Sequence, residues 1–113
     1  MPFIDSRITL KLTPEQKETV KSRLGAALPL LHKPESYLMV GIEDGYDLWF
    51  AGKRLEKGAY VSVSLFGEAQ SEACDRMTAE ICRIYGEVLN IPGDQIYVTY
   101  HGVRDWGWNG SNF

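Results

Sequence analysis

The sequence is poor in the residues that metal, thiol and nucleotide chemistry require. It has two histidines, His32 and His101, and two cysteines, Cys74 and Cys82. The histidines stand alone, without the spacing of a zinc site. The cysteines fall eight residues apart in one predicted helix. At ~1.5 Å of rise per residue they lie ~12 Å apart along its axis, too far for a disulfide with each other. They read as reduced thiols of the core or surface. No Gly-x-Gly-x-x-Gly or phosphate-loop pattern occurs, so neither a cofactor nor a metal is expected. Positive charge is also scarce: 12 Lys and Arg stand against 15 Asp and Glu, a net charge of -3. Without a basic patch, a nucleic-acid partner is not expected. No apolar run approaches the ~20 residues of a membrane span. The opening Met1-Pro2-Phe3-Ile4-Asp5 has neither the basic nor the apolar region of a signal peptide. Cytoplasmic synthesis is the default expectation, with export by a route that needs no signal peptide left open.

What is present fits an ordinary soluble domain. The chain has 113 residues, 44% hydrophobic and 24% charged, so residues 1–113 are expected to form a single domain. A chain of this length buries roughly 65% of its unfolded surface. Pro2 to Thr9 reads as a strand. Thr13-Pro14-Glu15-Gln16 reads as a helix start, with Thr13 capping, Pro14 at the first helical position and Gln16 closing a capping box. Val20, Leu24, Leu28 and Leu31 then share one helical face. His32-Lys33-Pro34 ends that helix, with cations near its negative terminus. Tyr37 to Ile42 is mostly apolar and reads as a strand buried on both faces. Glu43 to Asp47 is a turn, Leu48-Trp49-Phe50 a short strand, and Ala51 to Gly58 a polar loop.

A second cycle follows. Ala59 to Phe66 is a strand broken by Gly67. A helix from about Ser71 to Leu89 carries Ala73, Met77, Ile81, Ile84, Tyr85 and Val88 on its apolar side. Ile91-Pro92-Gly93-Asp94 turns the chain, and Gln95 to Tyr100 is a strand. The tail from Trp106 is rich in glycine, asparagine and aromatics. A shift of 58 residues superposes the cycles: Pro34 meets Pro92, Leu38 meets Ile96, Val40 meets Val98, and the capping Thr13 meets Ser71. Each half, about 1–57 and 58–113, is thus strand, helix, strand, and such crossovers join parallel strands with right-handed chirality. The expected fold class is α+β, a two-layer sandwich built from a tandem βαβ repeat. Its four-stranded mixed sheet, with short extra strands, carries two helices on one face. The apolar content of the strands predicts that the open face is covered too, most simply in a symmetric oligomer.

Four stretches carry a resemblance that spans essentially the whole chain: Met1-Pro2-Phe3-Ile4, Lys33-Pro34-Glu35, Ile91-Pro92-Gly93-Asp94-Gln95-Ile96-Tyr97-Val98, and the terminal Gly107-Trp108-Asn109-Gly110-Ser111-Asn112-Phe113. With the repeat, they make the chain resemble the macrophage migration inhibitory factor family of the tautomerase superfamily, which includes D-dopachrome tautomerase. The resemblance implies a homotrimer with three active sites at subunit boundaries, the open sheet faces lining the inside of a ring. It implies a cofactor-independent isomerase acting on a small aromatic 2-keto acid of the phenylpyruvate type.

Pro2 is then the catalytic base. Initiator methionine is usually removed before a small residue, and removal of Met1 leaves a secondary amine. A free α-amino group titrates near ~7.7–8.0. Burial and a nearby cation both disfavour its protonated form and lower that value, which suits a proton shuttle between carbon and oxygen. Lys33, on the same resemblance, binds the substrate carboxylate or polarises its carbonyl. Read alone, it is only a helix-terminal cation. Phe66 stands where the family presents a backbone N–H to the substrate, and Gly67 beside it allows close approach. Tyr97 matches a pocket tyrosine given by the neighbouring subunit. Thr99 replaces an asparagine of the best-known members. Trp106, Trp108 and Phe113 match rim positions, Trp106 being larger than the usual occupant.

Two further departures and two alternatives bear on function. The Cys-x-x-Cys of some members is here Gly58-Ala59-Tyr60-Val61, so thiol redox chemistry has no basis. Glu68 stands where lysine is often found and makes the entrance less positive. A cytokine-like protein that binds a cell-surface receptor, with a vestigial pocket, is the alternative function. Hydration or dehalogenation of unsaturated acids is a third, with Arg7 and Arg104 as the candidate extra groups.

Overall fold

The computed structural model describes residues 1–113. Strand β1 runs Pro2–Ile8, helix α1 Pro14–Ala27, strand β2 Met39–Glu43, β3 Trp49–Phe50, β4 Lys53–Arg54, β5 Ala59–Phe66, helix α2 Ser71–Leu89, β6 Ile96–Val103, β7 Gly107–Trp108 and β8 Ser111–Asn112. The main sheet has the order β2-β1-β5-β6. β1 is parallel to β2 and β5 is parallel to β6, while β1 and β5 meet antiparallel at the centre. Two βαβ units are therefore joined back to back, as the tandem repeat predicts.

The helices begin and end for local reasons. The Thr13 side chain accepts the Gln16 N–H at 3.1 Å, and the Gln16 side chain accepts the Thr13 N–H at 2.9 Å, which completes the predicted capping box. Pro29 has no N–H to continue the α-helical ladder. The chain therefore tightens into a 3-10 turn over Leu28–Leu31, so α1 ends earlier than expected and has no cation in its last turn. His32 and Asn90 close the two helical segments in the left-handed region, at φ 58° and 62°. They are related by the same 58-residue shift, as are the 3-10 turns Glu35–Tyr37 and Gly93–Gln95. The repeat fails at the start of α2. Gln70 takes the cap position without a side-chain bond, and Ser71 is the first helical residue rather than the cap.

One hydrophobic cluster lies between the sheet and the helices. Ile4, Ile8, Val61, Val63 and Leu65 point into it from the sheet, and Val20, Leu24, Leu28, Met77, Ile81 and Ile84 from the helical layer. Val88 is only packed against it, and Leu89 is buried instead. Among the fully buried residues Ser6 alone is polar, and its hydroxyl hydrogen-bonds the Tyr85 hydroxyl.

Three expectations need correction. β2 is an edge strand, not one buried on both faces. Met39 is 67% exposed, and Tyr37 and Leu38 precede the strand. Its apolar run covers one helix-facing side, Val40 and Ile42, and leaves the other open. The open face of the sheet is also less apolar than predicted. Alternation sends the aliphatic residues inward. It leaves Asp5, Arg7, Ser62, Ser64, Thr99 and His101 on the open side, among Phe3, Tyr60 and Tyr97. The loop after Phe50 is in part a hairpin, with Lys53–Arg54 paired to Trp49–Phe50.

Candidate active site

Pro2 heads β1, and its residue is buried. It lines a cavity of about 410 Å³ at one end of the sheet, with Met1, Phe3, Tyr37, Met39, Ser64, Val103, Trp106, Gly107 and Trp108. Six elements converge there: the start of β1, the 3-10 turn before β2, the start of β2, the ends of β5 and β6, and the tail. A larger recess of about 670 Å³ lies by the hairpin loop, but its Lys53, Arg54, Glu56 and Lys57 are all exposed.

Lys33 follows His32, whose left-handed conformation turns the chain out of the helical layer. The Lys33 Nζ donates to the Phe66 carbonyl at 3.2 Å. The Phe66 N–H, on the other side of the same residue, donates to the Met1 carbonyl at 3.0 Å. The Lys33 ammonium is close enough to the chain start to be felt electrostatically. The Met1 amino group is held below its ordinary value, first by burial and then by the Lys33 charge. The neighbourhood of Pro2 therefore disfavours a protonated amine.

The tail is a hairpin with Gly107 opposite Asn112. Its turn residues Asn109 and Gly110 have φ 53° and 91°, the two left-handed positions that an Asn-Gly pair supplies. The turn brings Trp108 and Phe113 into a stack with centroids 6.0 Å apart. Tyr37 meets Trp108 edge-on at 5.7 Å, and Phe66 meets Phe113 at 5.6 Å. Phe113 thus backs the wall and does not itself line the cavity. Gly67 has φ 83°, and nothing lies within 4 Å of the side chain it lacks. Its backbone angle is what requires glycine there.

Pro2, Trp106 and Trp108 come together at this cavity, with Lys33 and Phe66 beside it. Tyr97 and Thr99 do not. Pro2 pairs with Leu65 and Tyr97 with Tyr60, five positions apart on β5, or ~17 Å at ~3.4 Å per residue. Tyr97 instead packs edge-on against Phe50 at 5.7 Å. The Thr99 hydroxyl shares hydrogen bonds with Tyr60 at 2.8 Å and His101 at 3.0 Å. Glu68 lines two neighbouring recesses, one with Lys33 and one with Cys74 and Tyr100, rather than the Pro2 cavity. Arg7 lies over the Tyr46 ring at 5.4 Å, and Arg104 pairs with Asp105 at 2.9 Å; neither reaches Pro2.

Phe3, Tyr37, Met39, Ser64 and Val103 line the cavity without having been singled out in the sequence. A signal existed for three of them. Phe3 pairs with both Met39 and Ser64, so these side chains share one face at one level of the sheet. Strand alternation groups them only once the register is known.

A family model described as macrophage migration inhibitory factor (MIF) matches residues 1–113. A macrophage migration inhibitory factor homolog of Trichuris trichiura is 34% identical over 86 residues, which are 74% of this chain and 75% of that protein. The crystal structure of Leishmania major MIF2 superposes with a TM-score of 0.94 at 30% identity, covering 100% of this chain and 97% of the other. The macrophage migration inhibitory factor homologue of Prochlorococcus marinus superposes at 0.88 with 27% identity, covering 98% of each.

Proposed function

The chain belongs to the macrophage migration inhibitory factor family, and from that membership we propose that it is a keto–enol tautomerase of phenylpyruvate-like 2-keto acids, with the amine of Pro2 as its acid and base. The observation that carries the reading is the placement of Pro2. It is buried at the head of β1, in a cavity walled by Phe3, Tyr37, Trp106 and Trp108, beside an ammonium that already weakens the basicity of the chain start.

With Met1 attached, the Pro2 nitrogen is a tertiary amide and has no basicity. Hydrolysis of the Met1–Pro2 bond leaves a secondary amine in its place. Burial and the charge of Lys33 then keep part of the amine unprotonated at neutral pH. The neutral amine takes a proton from the carbon next to the ketone, and the electron pair moves into a C=C bond as the oxygen becomes an enolate. Water protonates that oxygen while the Pro2 ammonium releases its proton to solvent, which completes the enol and restores the neutral amine; in the reverse direction the Pro2 ammonium delivers a proton to carbon. Lys33 and the Phe66 N–H supply positive potential for the carboxylate and the developing enolate, while the aromatic walls hold the ring of the substrate. No step calls for a cofactor. Tyr97 and Thr99 reach a site only from a neighbouring copy, in a homotrimer whose sites lie between subunits.

The alternative of a receptor-binding protein has no grouping of residues in its favour. The hydration reading loses its extra groups, since Arg7 and Arg104 are engaged elsewhere. The experiment is a phenylpyruvate tautomerisation assay on protein whose intact mass proves that it starts at Pro2. An inactive sample of that mass would overturn the proposal.

A further inference from the structure

The turn between β5 and α2 sets a carboxylate near the ammonium of Lys33 without pairing the two. The Gly67 N–H donates to the Val103 carbonyl at 2.9 Å, which pins the turn to the end of β6. Gly102, on that strand, makes the approach possible. A Cβ there would lie 2.6 Å from the Gly67 carbonyl oxygen and 3.4 Å from the Glu68 Cγ. The stem of Glu68 therefore rests on a bare stretch of backbone. Glu68 is exposed, and it lines a recess of about 260 Å³ together with His32, Lys33 and Gln70. None of the ion pairs of the chain includes Glu68 or Lys33. The Lys33 Nζ is tied at 3.2 Å to the Phe66 carbonyl, a neutral acceptor, so its charge stays open to an anion from outside.

We propose that Glu68 limits the charge of what the Pro2 site accepts: the site takes 2-keto acids that carry one negative charge and turns away those that carry two at the same end. The inference rests on the reading of Lys33 as the group that holds the substrate carboxylate. One ammonium balances one carboxylate. A second carboxylate beside it meets the field of Glu68 and finds no further cation. No charged side chain lines the Pro2 cavity itself, and Arg7 and Arg104 are engaged elsewhere. An unpaired charge pushed among Phe3, Tyr37, Trp106 and Trp108 would lose its water without compensation. Glu68 acts through Lys33 and not on the reacting atoms. It is a positioning residue that sets how much anion the ammonium attracts. One unit of charge, felt across ~8 Å of mostly aqueous surroundings, changes the affinity for a monoanion ~2–6-fold and that for a dianion by about the square of this factor. The charge of the ligand is therefore what Glu68 discriminates.

The test uses two ligands on one skeleton, 3-phenylpropanoate with one carboxylate and benzylmalonate with two on the same carbon. Neither has a ketone, so binding is read without turnover. Four chains that start at Pro2 are titrated by calorimetry at pH 8 and low salt: the natural sequence, Glu68→Gln, Glu68→Lys and Glu68→Asp. The natural chain should bind 3-phenylpropanoate more tightly than benzylmalonate. The ratio of the two affinities should fall about three-fold in Glu68→Gln and about ten-fold in Glu68→Lys, the effects of one and of two units of charge. Glu68→Asp keeps the charge and should keep the ratio. At ~1 M salt, where the screening length is ~3 Å, the four ratios should converge. Lost packing on Gly102 would instead weaken both ligands alike, whatever the salt. An unchanged ratio in Glu68→Lys overturns the inference, as does a natural chain that prefers benzylmalonate. So does a ratio that Glu68→Asp moves as far as Glu68→Gln does, or a natural chain that fails to bind 3-phenylpropanoate. A chain that shows the charge dependence but leaves phenylpyruvate unchanged overturns the tautomerase reading and leaves this one standing. A chain that turns over phenylpyruvate with a ratio unmoved by Glu68→Lys overturns this one alone.

Discussion

The Lys33 Nζ donates to the Phe66 carbonyl at 3.2 Å, so a flexible cation from the first repeat is tied to the last residue of a strand in the second. The tie fixes the ammonium beside the start of β1, where it lowers the basicity of the chain-terminal amine, second in size to burial. Lys33→Met removes the charge and the bond together. Burial, the larger cause, remains, so the pKa of the Pro2 amine should rise only in part. The acidic limb of the kcat/KM profile should then move to higher pH. Loss of a charged hydrogen bond worth ~1.5–3 kcal/mol corresponds to a KM for phenylpyruvate raised ~10–100-fold. Lys33→Arg should restore the acidic limb better than it restores KM, because a guanidinium keeps the charge but not the shape of the contact. An acidic limb that stays in place in Lys33→Met would remove Lys33 from the catalytic electrostatics.

Pro2 is tested by two changes that spare the rest of the site. Pro2→Gly keeps a chain-terminal amine but loses the ring that places it, and kcat/KM should fall by ~10²-fold or more, the usual scale of general acid–base catalysis. An alanine inserted between Met1 and Pro2 leaves the nitrogen acylated after processing, and activity should vanish. Far-ultraviolet circular dichroism should stay the same in both. Any receptor-binding activity of the chain should survive both changes, whereas tautomerisation should not. Activity retained by the insertion variant would exclude the Pro2 nitrogen as the base.

The strands, the helices and the capping box could be read from spacing because each depends on neighbours a few residues away. Thr13, Pro14 and Gln16 decide the start of α1 among themselves. The misreadings came from long-range circumstances. Tyr37 to Ile42 has the composition of a buried strand, but strand order makes β2 an edge. Ser71 occupies the place of Thr13 in the repeat, yet the chain enters α2 one residue earlier. In the site, Pro2 and the tail tryptophans were legible from their sequence motifs. Phe3, Met39 and Ser64 required the register, which no local pattern encodes.

The buried Ser6–Tyr85 hydrogen bond joins β1 to α2. Tyr85→Phe strands the Ser6 hydroxyl, Ser6→Ala strands the Tyr85 hydroxyl, and each should cost about 1–3 kcal/mol. The double variant leaves neither group unpaired and should be less destabilised than the sum of the two. Burial also pushes the Tyr85 hydroxyl up to about 12. In the unfolded chain it ionises near ~10. The folded state thus holds the proton that the unfolded state releases, and stability is intact below pH ~10 and falls as pH rises towards 12. Urea midpoints between pH 9 and 11.5 should decline in the natural chain and decline less in Tyr85→Phe, where the half-buried phenol of Tyr100, also pushed up to about 12, and the thiols of Cys74 and Cys82, raised by burial, still contribute in the same direction. Parallel declines would place the alkaline sensitivity elsewhere.

The separation of Pro2 from Tyr97 can be used to ask where a complete site is built. Within one copy they lie on β1 and β6, the two strands that flank β5, displaced by ~17 Å along it. If Tyr97 acts on substrate, it acts at the Pro2 of a neighbour. Pro2→Gly and Tyr97→Ala chains should then each be impaired alone. Unfolded together and refolded as random mixed trimers, they should regain activity. In a 1:1 mixture half of the copies carry an intact Pro2, and half of the neighbours facing them carry an intact Tyr97. About one quarter of the sites are therefore complete, and about a quarter of the natural specific activity should return. A protein whose sites were complete within each copy would show only the mean of the two parents. The same mixture kept below the concentration at which copies associate should show no recovery, which separates subunit exchange from refolding of damaged chains.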